Sequence, residues 1–280
     1  MTEPTYPERL DDALRRVPLP TPTLWPATRT NTYLLGDRQL CVVDPAPSDA
    51  EHQRTLRDHL RALARDGVET VALVLTHHHA DHVGATAWLA TELRLPVLAH
   101  PETAARLPGL VDRLLQDGDA LPCDGPAWTA RHTPGHAAGH HVLVRAADGA
   151  VVAGDMVAGI GTILVDPDEG SMRLYLQSLE LLHSLAPSVL YPAHGFELRP
   201  AVAALERYLE HRHARAAAVL QRVAAGDRIP EEMVPHIYQD TPAHMYAAAA
   251  LSVLAMLRMH QEEGRVSHDG AHWFLRADPA

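Results

Sequence analysis

The chain has 280 residues, 24 basic and 35 acidic side chains, and a formal charge of −11 at neutral pH, which argues against a broad nucleic-acid footprint. All 24 positive charges are arginine, so a lysine Schiff base and a phosphate-loop lysine are excluded, and two cysteines (Cys41 and Cys123) are too few for a cysteine-rich zinc site. An apolar fraction of 46% suffices for a large domain plus an appendage, and no apolar run approaches a membrane span of about 18 residues, so a cytoplasmic chain without a membrane partner is expected.

Cys41 to Asp44 is a short buried-strand signal that ends at Pro45. Ser48 and Glu51 then have the spacing of a capping box, and Leu56, Leu60, Leu63 and Ala64 recur at helical period up to Gly67. Val71 to Leu75 and Pro96 to Ala99 are two further apolar strands. His141 to Val144 and Val151 to Val152 flank Asp148-Gly149, the signature of a hairpin, and Val189 to Tyr191 is another strand. Strand–helix alternation with antiparallel hairpins predicts a layered α/β (α+β) fold. Beyond Pro200 the pattern becomes helical: one long helix carrying Leu205, Leu209, Val219 and Val223 closes near Gly226, and another runs from about Met245 to Glu263. Val266 to Leu275 around Asp269-Gly270 then predicts a hairpin, so the tail reads as a small winged-helix-like module.

Twenty histidines are present, and their spacing is more informative than their number. Thr76-His77-His78-His79-Ala80-Asp81-His82 follows an apolar strand. Side chains two apart on an extended chain share a face, so His77 and His79 can address one metal, while Asp81 and His82, past the turn, can address a second. Downstream come His132-Thr133-Pro134-Gly135-His136, Gly154-Asp155 after a strand, and Tyr191-Pro192-Ala193-His194-Gly195.

In this order these motifs resemble the metallo-β-lactamase-fold hydrolase superfamily, in its glyoxalase II-like and lactamase-beta-like branch. The resemblance covers about residues 20–200. It implies a four-layer αβ/βα sandwich over residues 1–200, followed by a winged-helix-like domain over 201–280. Carried over residue by residue, His77, His79 and His136 would hold one divalent metal and Asp81, His82 and His194 a second, with Asp155 bridging. Zinc is the expected ion, with iron or manganese compatible with the carboxylates. Asp44 is the candidate for orienting a ligand from behind. Neither cysteine falls in a motif, which argues against a dedicated antibiotic-destroying role.

The implied chemistry is that of a dinuclear hydrolase whose metal-bridging hydroxide attacks a small ester or thioester, with Asp81 a ligand that also orients the water. The alternative is an endoribonuclease of the lactamase-beta-like type, suggested by the tail. Residues 201–280 hold eight arginines against ten acidic residues, which weakens that alternative. The expected partner is a small-molecule substrate, and the oligomeric state, a homodimer included, is left open.

Overall fold

The computed structural model describes Glu3, Thr5 and residues 7–276. The strands are β1 (Glu8–Asp11), β2 (Leu14–Pro20), β3 (Arg29–Leu35) and β4 (Gln39–Val43), and helix α1 (Ala50–Arg65) follows. Next come β5 (Glu69–Val74), α2 (Ala80–Val83), α3 (Thr86–Leu93), β6 (Val97–Ala99), α4 (Pro101–Arg106) and β7 (Arg113–Leu114). A second group comprises β8 (Trp128–His132), β9 (His141–Arg145), β10 (Val151–Gly154), α5 (Met172–Ser184) and β11 (Leu190–Pro192). The remainder is α6 (Ala201–Ala225), α7 (Pro230–Ile237), a 3-10 turn (Ala243–Met245), α8 (Tyr246–Glu262), β12 (Val266–His268) and β13 (Trp273–Leu275).

These elements form two compact units. The first takes the residues up to Thr133, Gly139–Ile163 and His183–Ala204; the second takes Pro134–Ala138, Leu164–Leu182 and the chain from Leu205 onward. The first unit holds two sheets: seven strands in the order β1 to β7, and four in the order β11-β10-β9-β8. Strands β1 to β4 pair antiparallel, and β4 to β7 parallel.

Period-two alternation explains how the large sheet buries both faces. Leu35, Cys41, Val43 and Val74 face the small sheet and share one core with Trp128, Ala130, Leu143, Val152 and Tyr191. Their neighbours Leu34, Leu40, Val42 and Leu73 point the other way and pack on Leu56 and Leu60 of α1 and Leu89 of α3. The expected helix after the first motif strand is present, but its cap differs from the expected capping box. Asp49, not Ser48, accepts hydrogen bonds from the backbone of Glu51 and His52. A carboxylate one residue later reaches the first-turn N–H groups and adds favourable charge there.

In the second unit α7 packs with α8, α7 burying Met233, Val234 and Ile237 and α8 burying Val253, Met256 and Leu257, and β12 pairs with β13 as the wing. His260 Nε2 lies 2.9 Å from the Ala216 carbonyl, pinning α8 to α6. The expected hairpin around Asp269-Gly270 is formed as predicted, whereas α7 was not legible as a separate helix because Pro235 interrupts its pattern. No described helix is long and apolar enough to cross a membrane.

Candidate metal centre

The parallel strands deliver the motif residues to one end of the first unit. Asp44 follows β4, the His77–His82 segment follows β5, Asp155 follows β10, and His194 follows β11. Placement beyond the carboxyl ends of strands is where α/β sheets bind ligands. The two sheets are tied together there: Asn31 of β3 donates its backbone N–H to the Ala193 carbonyl and its amide to the carbonyls of Pro192 and Gly195.

Two groups of side chains in this unit place one ligand atom each within 4.8 Å of the others: His77, His82 and Asp155, and Asp81, His82 and His194. His82 and His194 both present Nε2 to Asp155 Oδ1, each at 3.5 Å, and His194 Nε2 is 3.6 Å from Asp81 Oδ2. His79 joins through its Nδ1, 2.9 Å from His77 Nε2. His136 lies on the 134–138 segment assigned to the second unit. Its Nδ1–H meets the Leu164 carbonyl at 2.7 Å, so a metal would be held through Nε2.

The other ring nitrogens are fixed from behind. His194 Nδ1 donates to the Arg29 carbonyl at 2.9 Å. Asp44, 2% exposed, accepts from His82 Nδ1 at 2.8 Å, from the Thr76 backbone at 2.8 Å and from the Thr76 hydroxyl at 2.7 Å. Because the Thr76 hydroxyl donates to Asp44, it accepts from His77 Nδ1 at 3.0 Å. One carboxylate therefore sets the tautomers of both His77 and His82, leaving the lone pair of each on Nε2.

The electrostatics match a cation site. Burial opposes charging of His82, yet Asp155, Asp44 and Asp81 together raise its pKa well above the usual range, so these carboxylates favour positive charge at this position. Burial likewise opposes ionisation of Asp155, but His194 and His82 hold its carboxyl well below the usual range. His82 Nε2 is buried without a hydrogen-bond partner among the described residues, and its 3.5 Å to Asp155 Oδ1 is too long for a good hydrogen bond. A buried polar atom left unpaired is costly, and a divalent cation would satisfy imidazole and carboxylate atoms so placed.

Two supporting residues escaped the sequence reading. His140 accepts the Asp155 backbone N–H on its Nε2 at 3.0 Å while its Nδ1 meets the Thr133 hydroxyl at 2.9 Å. Gly154 has φ +49°, and a Cβ there would stand 2.6 Å from His140 Nε2, so only glycine lets Asp155 make this approach. Nothing in the sequence signals a contact between residues so distant along the chain. His100 caps α4 by accepting the Glu102 N–H at 3.2 Å. Arg173 pairs with Glu262 at 2.7 Å and Tyr175 is fully buried under Arg212, so both serve helix packing.

Residues 25–194 match the family model of the metallo-beta-lactamase superfamily. The chain belongs to this superfamily. A second model, the beta-lactamase associated winged helix domain, matches residues 230–273, where α7, α8 and the wing lie. The chain is 27% identical over 270 residues to a beta-lactamase-like protein 2 homolog of Caenorhabditis elegans, covering 93% of this chain and 88% of that one. It is 28% identical over 193 residues to an atrochrysone carboxyl ACP thioesterase of Aspergillus fumigatus, covering 69% of this chain and 44% of the relative. A crystal structure of a metallo-beta-lactamase family protein from Thermus thermophilus superposes with a TM-score of 0.78 at 25% identity, over 96% of this chain and 100% of that one. A beta-lactamase domain protein from Burkholderia ambifaria superposes with a TM-score of 0.83 at 22% identity, covering 96% and 93%. The superfamily member described here is a metal-dependent hydrolase with a sandwich fold and a C-terminal winged helix.

Proposed function

We propose that this hydrolase is dinuclear and acts on a small ester or thioester, with residues 1–200 as its catalytic domain and 201–280 as an accessory winged-helix domain. One metal is assigned to His77, His79 and His136, and the other to Asp81, His82 and His194, with Asp155 shared. The observation that carries the reading is the grouping of Asp155 with His77, assigned to one ion, and with His82, assigned to the other, their ligand atoms all within 4.8 Å of one another. Two bound divalent ions, zinc foremost, would acidify water enough for it to act as a nucleophile near neutral pH and would stabilise the developing oxyanion.

The protein's own groups position and hold. Asp44 keeps His77 and His82 in the ligating tautomer through Thr76. The Arg29 carbonyl does the same for His194, and the Leu164 carbonyl for His136. Asp81, partly exposed, faces the site with one carboxylate oxygen near His194, where it can orient an attacking water and accept its proton. A thioester substrate is favoured because a relative of this chain is named as an acyl carrier protein thioesterase. The endoribonuclease alternative draws on the winged-helix match, and the tail's near-neutral charge counts against it.

A substrate panel tests the proposal. Purified protein loaded with zinc is assayed on acyl-CoA and acyl carrier protein thioesters, simple esters, lactones and single-stranded RNA. Thioester or ester turnover that disappears in Asp81→Ala supports the reading; RNA cleavage without ester turnover overturns the substrate assignment. Metal analysis that saturates at one ion per chain overturns the dinuclear centre.

A further inference from the structure

Cys41 and Cys123 are the sole cysteines, far apart in sequence and remote from every metal motif. The fold brings them together at β4. Cys41 is fully buried on the inner face of the large sheet, and half-buried Cys123 packs against the same core cluster. Cys41 pairs in register with Leu35, and the next residue, Gly36, would carry a Cβ only 3.1 Å from Cys123 Cβ.

The neighbouring residue locks this arrangement. The Asp124 carboxylate accepts the backbone N–H groups of Asp37, Arg38 and Gln39 at 2.9–3.0 Å, and the Asp124 N–H donates to the Gln39 carbonyl at 3.2 Å. Cys123 is thus clipped to the turn that feeds the strand bearing Cys41. Each thiol acts on the other at this contact, which pushes Cys41 up and draws Cys123 down.

We propose that Cys41 and Cys123 form a reversible intramolecular disulfide, made when hydrogen peroxide oxidises Cys123 and Cys41 resolves the product. Cys123, the more exposed sulfur, attacks one peroxide oxygen as its thiolate. The O–O bond breaks, one water leaves, and Cys123 becomes a sulfenic acid. Cys41 sulfur then displaces the sulfenic oxygen, which departs with the Cys41 proton as a second water. Two thiols are oxidised by two electrons, and one peroxide is reduced to two waters. The cross-link staples the segment around Cys123 to β4, and a small thiol reverses it by exchange.

The test oxidises folded, full-length, reduced protein with a small excess of hydrogen peroxide, followed by alkylation and intact mass. A 2 Da loss, no alkylated thiol, a Cys41–Cys123 peptide and recovery with dithiothreitol are the expected results. Cross-linking should also run on the order of tenfold or more faster in the folded protein than in guanidinium, because only the fold supplies the proximity. In Cys123→Ser, Cys41 should stay reduced and alkylate only after unfolding, a control for burial that leaves the metal ligands untouched. Two alkylatable thiols after treatment, a sulfinic acid on Cys123 without a cross-link, an intermolecular dimer, or equal rates folded and unfolded would each overturn the proposal.

Discussion

Replacing Asp44 with Asn tests how the centre is pre-organised, because it changes charge and one donor while keeping shape. Asp44 sits at φ +50°, a left-handed conformation that Asn adopts readily, so the backbone is not the perturbed element. Asn Oδ1 can still accept the Thr76 backbone N–H. Its amide N–H groups then occupy the position of Oδ2, where both His82 Nδ1–H and the Thr76 hydroxyl donate in the wild type. The hydroxyl can rotate to accept instead, which turns its proton toward His77 Nδ1. Both rings are pushed to carry their proton on Nε2, the atom a metal needs. Losing such a supporting partner typically costs about 10- to 100-fold in metal affinity, or roughly 1.4–2.7 kcal/mol per ion. The assay is metal retained against a graded chelator, with the melting temperature of the metal-free protein measured alongside. Asp44→Asn should release metal at a chelator concentration lower by that factor while its metal-free form melts close to wild type. Thr76→Ser, which keeps the hydroxyl, should behave as wild type. If Asp44→Asn retains metal like wild type, or loses as much stability without metal as with it, the tautomer argument is wrong.

Chelation should abolish ester turnover and lower the melting temperature, both restored by zinc; activity that survives exhaustive chelation would refute the metal requirement. Fully buried His141 has no hydrogen-bond partner on either ring nitrogen among the described residues, and burial, with His100 and His132 nearby, lowers its pKa to about 3. Its folded value lies below the unfolded one, so it costs nothing above pH 7, and stability is lost as pH falls from about 6.5 toward 3, by roughly 2 kcal/mol at pH 5. His141→Leu should therefore gain on wild type by about that amount between pH 7.5 and 5 in urea titrations, and an unchanged gap would refute it. Gly135 has φ +139° and its Cβ would lie 2.2 Å from the Tyr175 backbone, so Gly135→Ala should destabilise by about 3 kcal/mol or more, read as a lowered urea midpoint.

The strand–helix order, the long tail helices and the wing hairpin were legible because their periodicities are local and survive in one dimension. The motif residues were legible as well: a histidine pair two apart after an apolar strand states its geometry through the pleat alone. His82 illustrates the limit. Its place in the motif was readable, but that it is shared between two ligand groups depends on Asp155 and His194, contributed by the other sheet.

The sequence by itself determined the superfamily, the ligand candidates and the winged tail, since each rests on residue types at short fixed spacings. Only the tertiary structure decided that one buried carboxylate, Asp44, governs two histidine tautomers through a threonine hydroxyl, and that His140 holds the Asp155 backbone. It also decided that Cys41 and Cys123 meet. The physical reason is common to all three: hydrogen bonds and thiol contacts between segments separated along the chain leave no local pattern, and exist only once the fold has set those segments side by side.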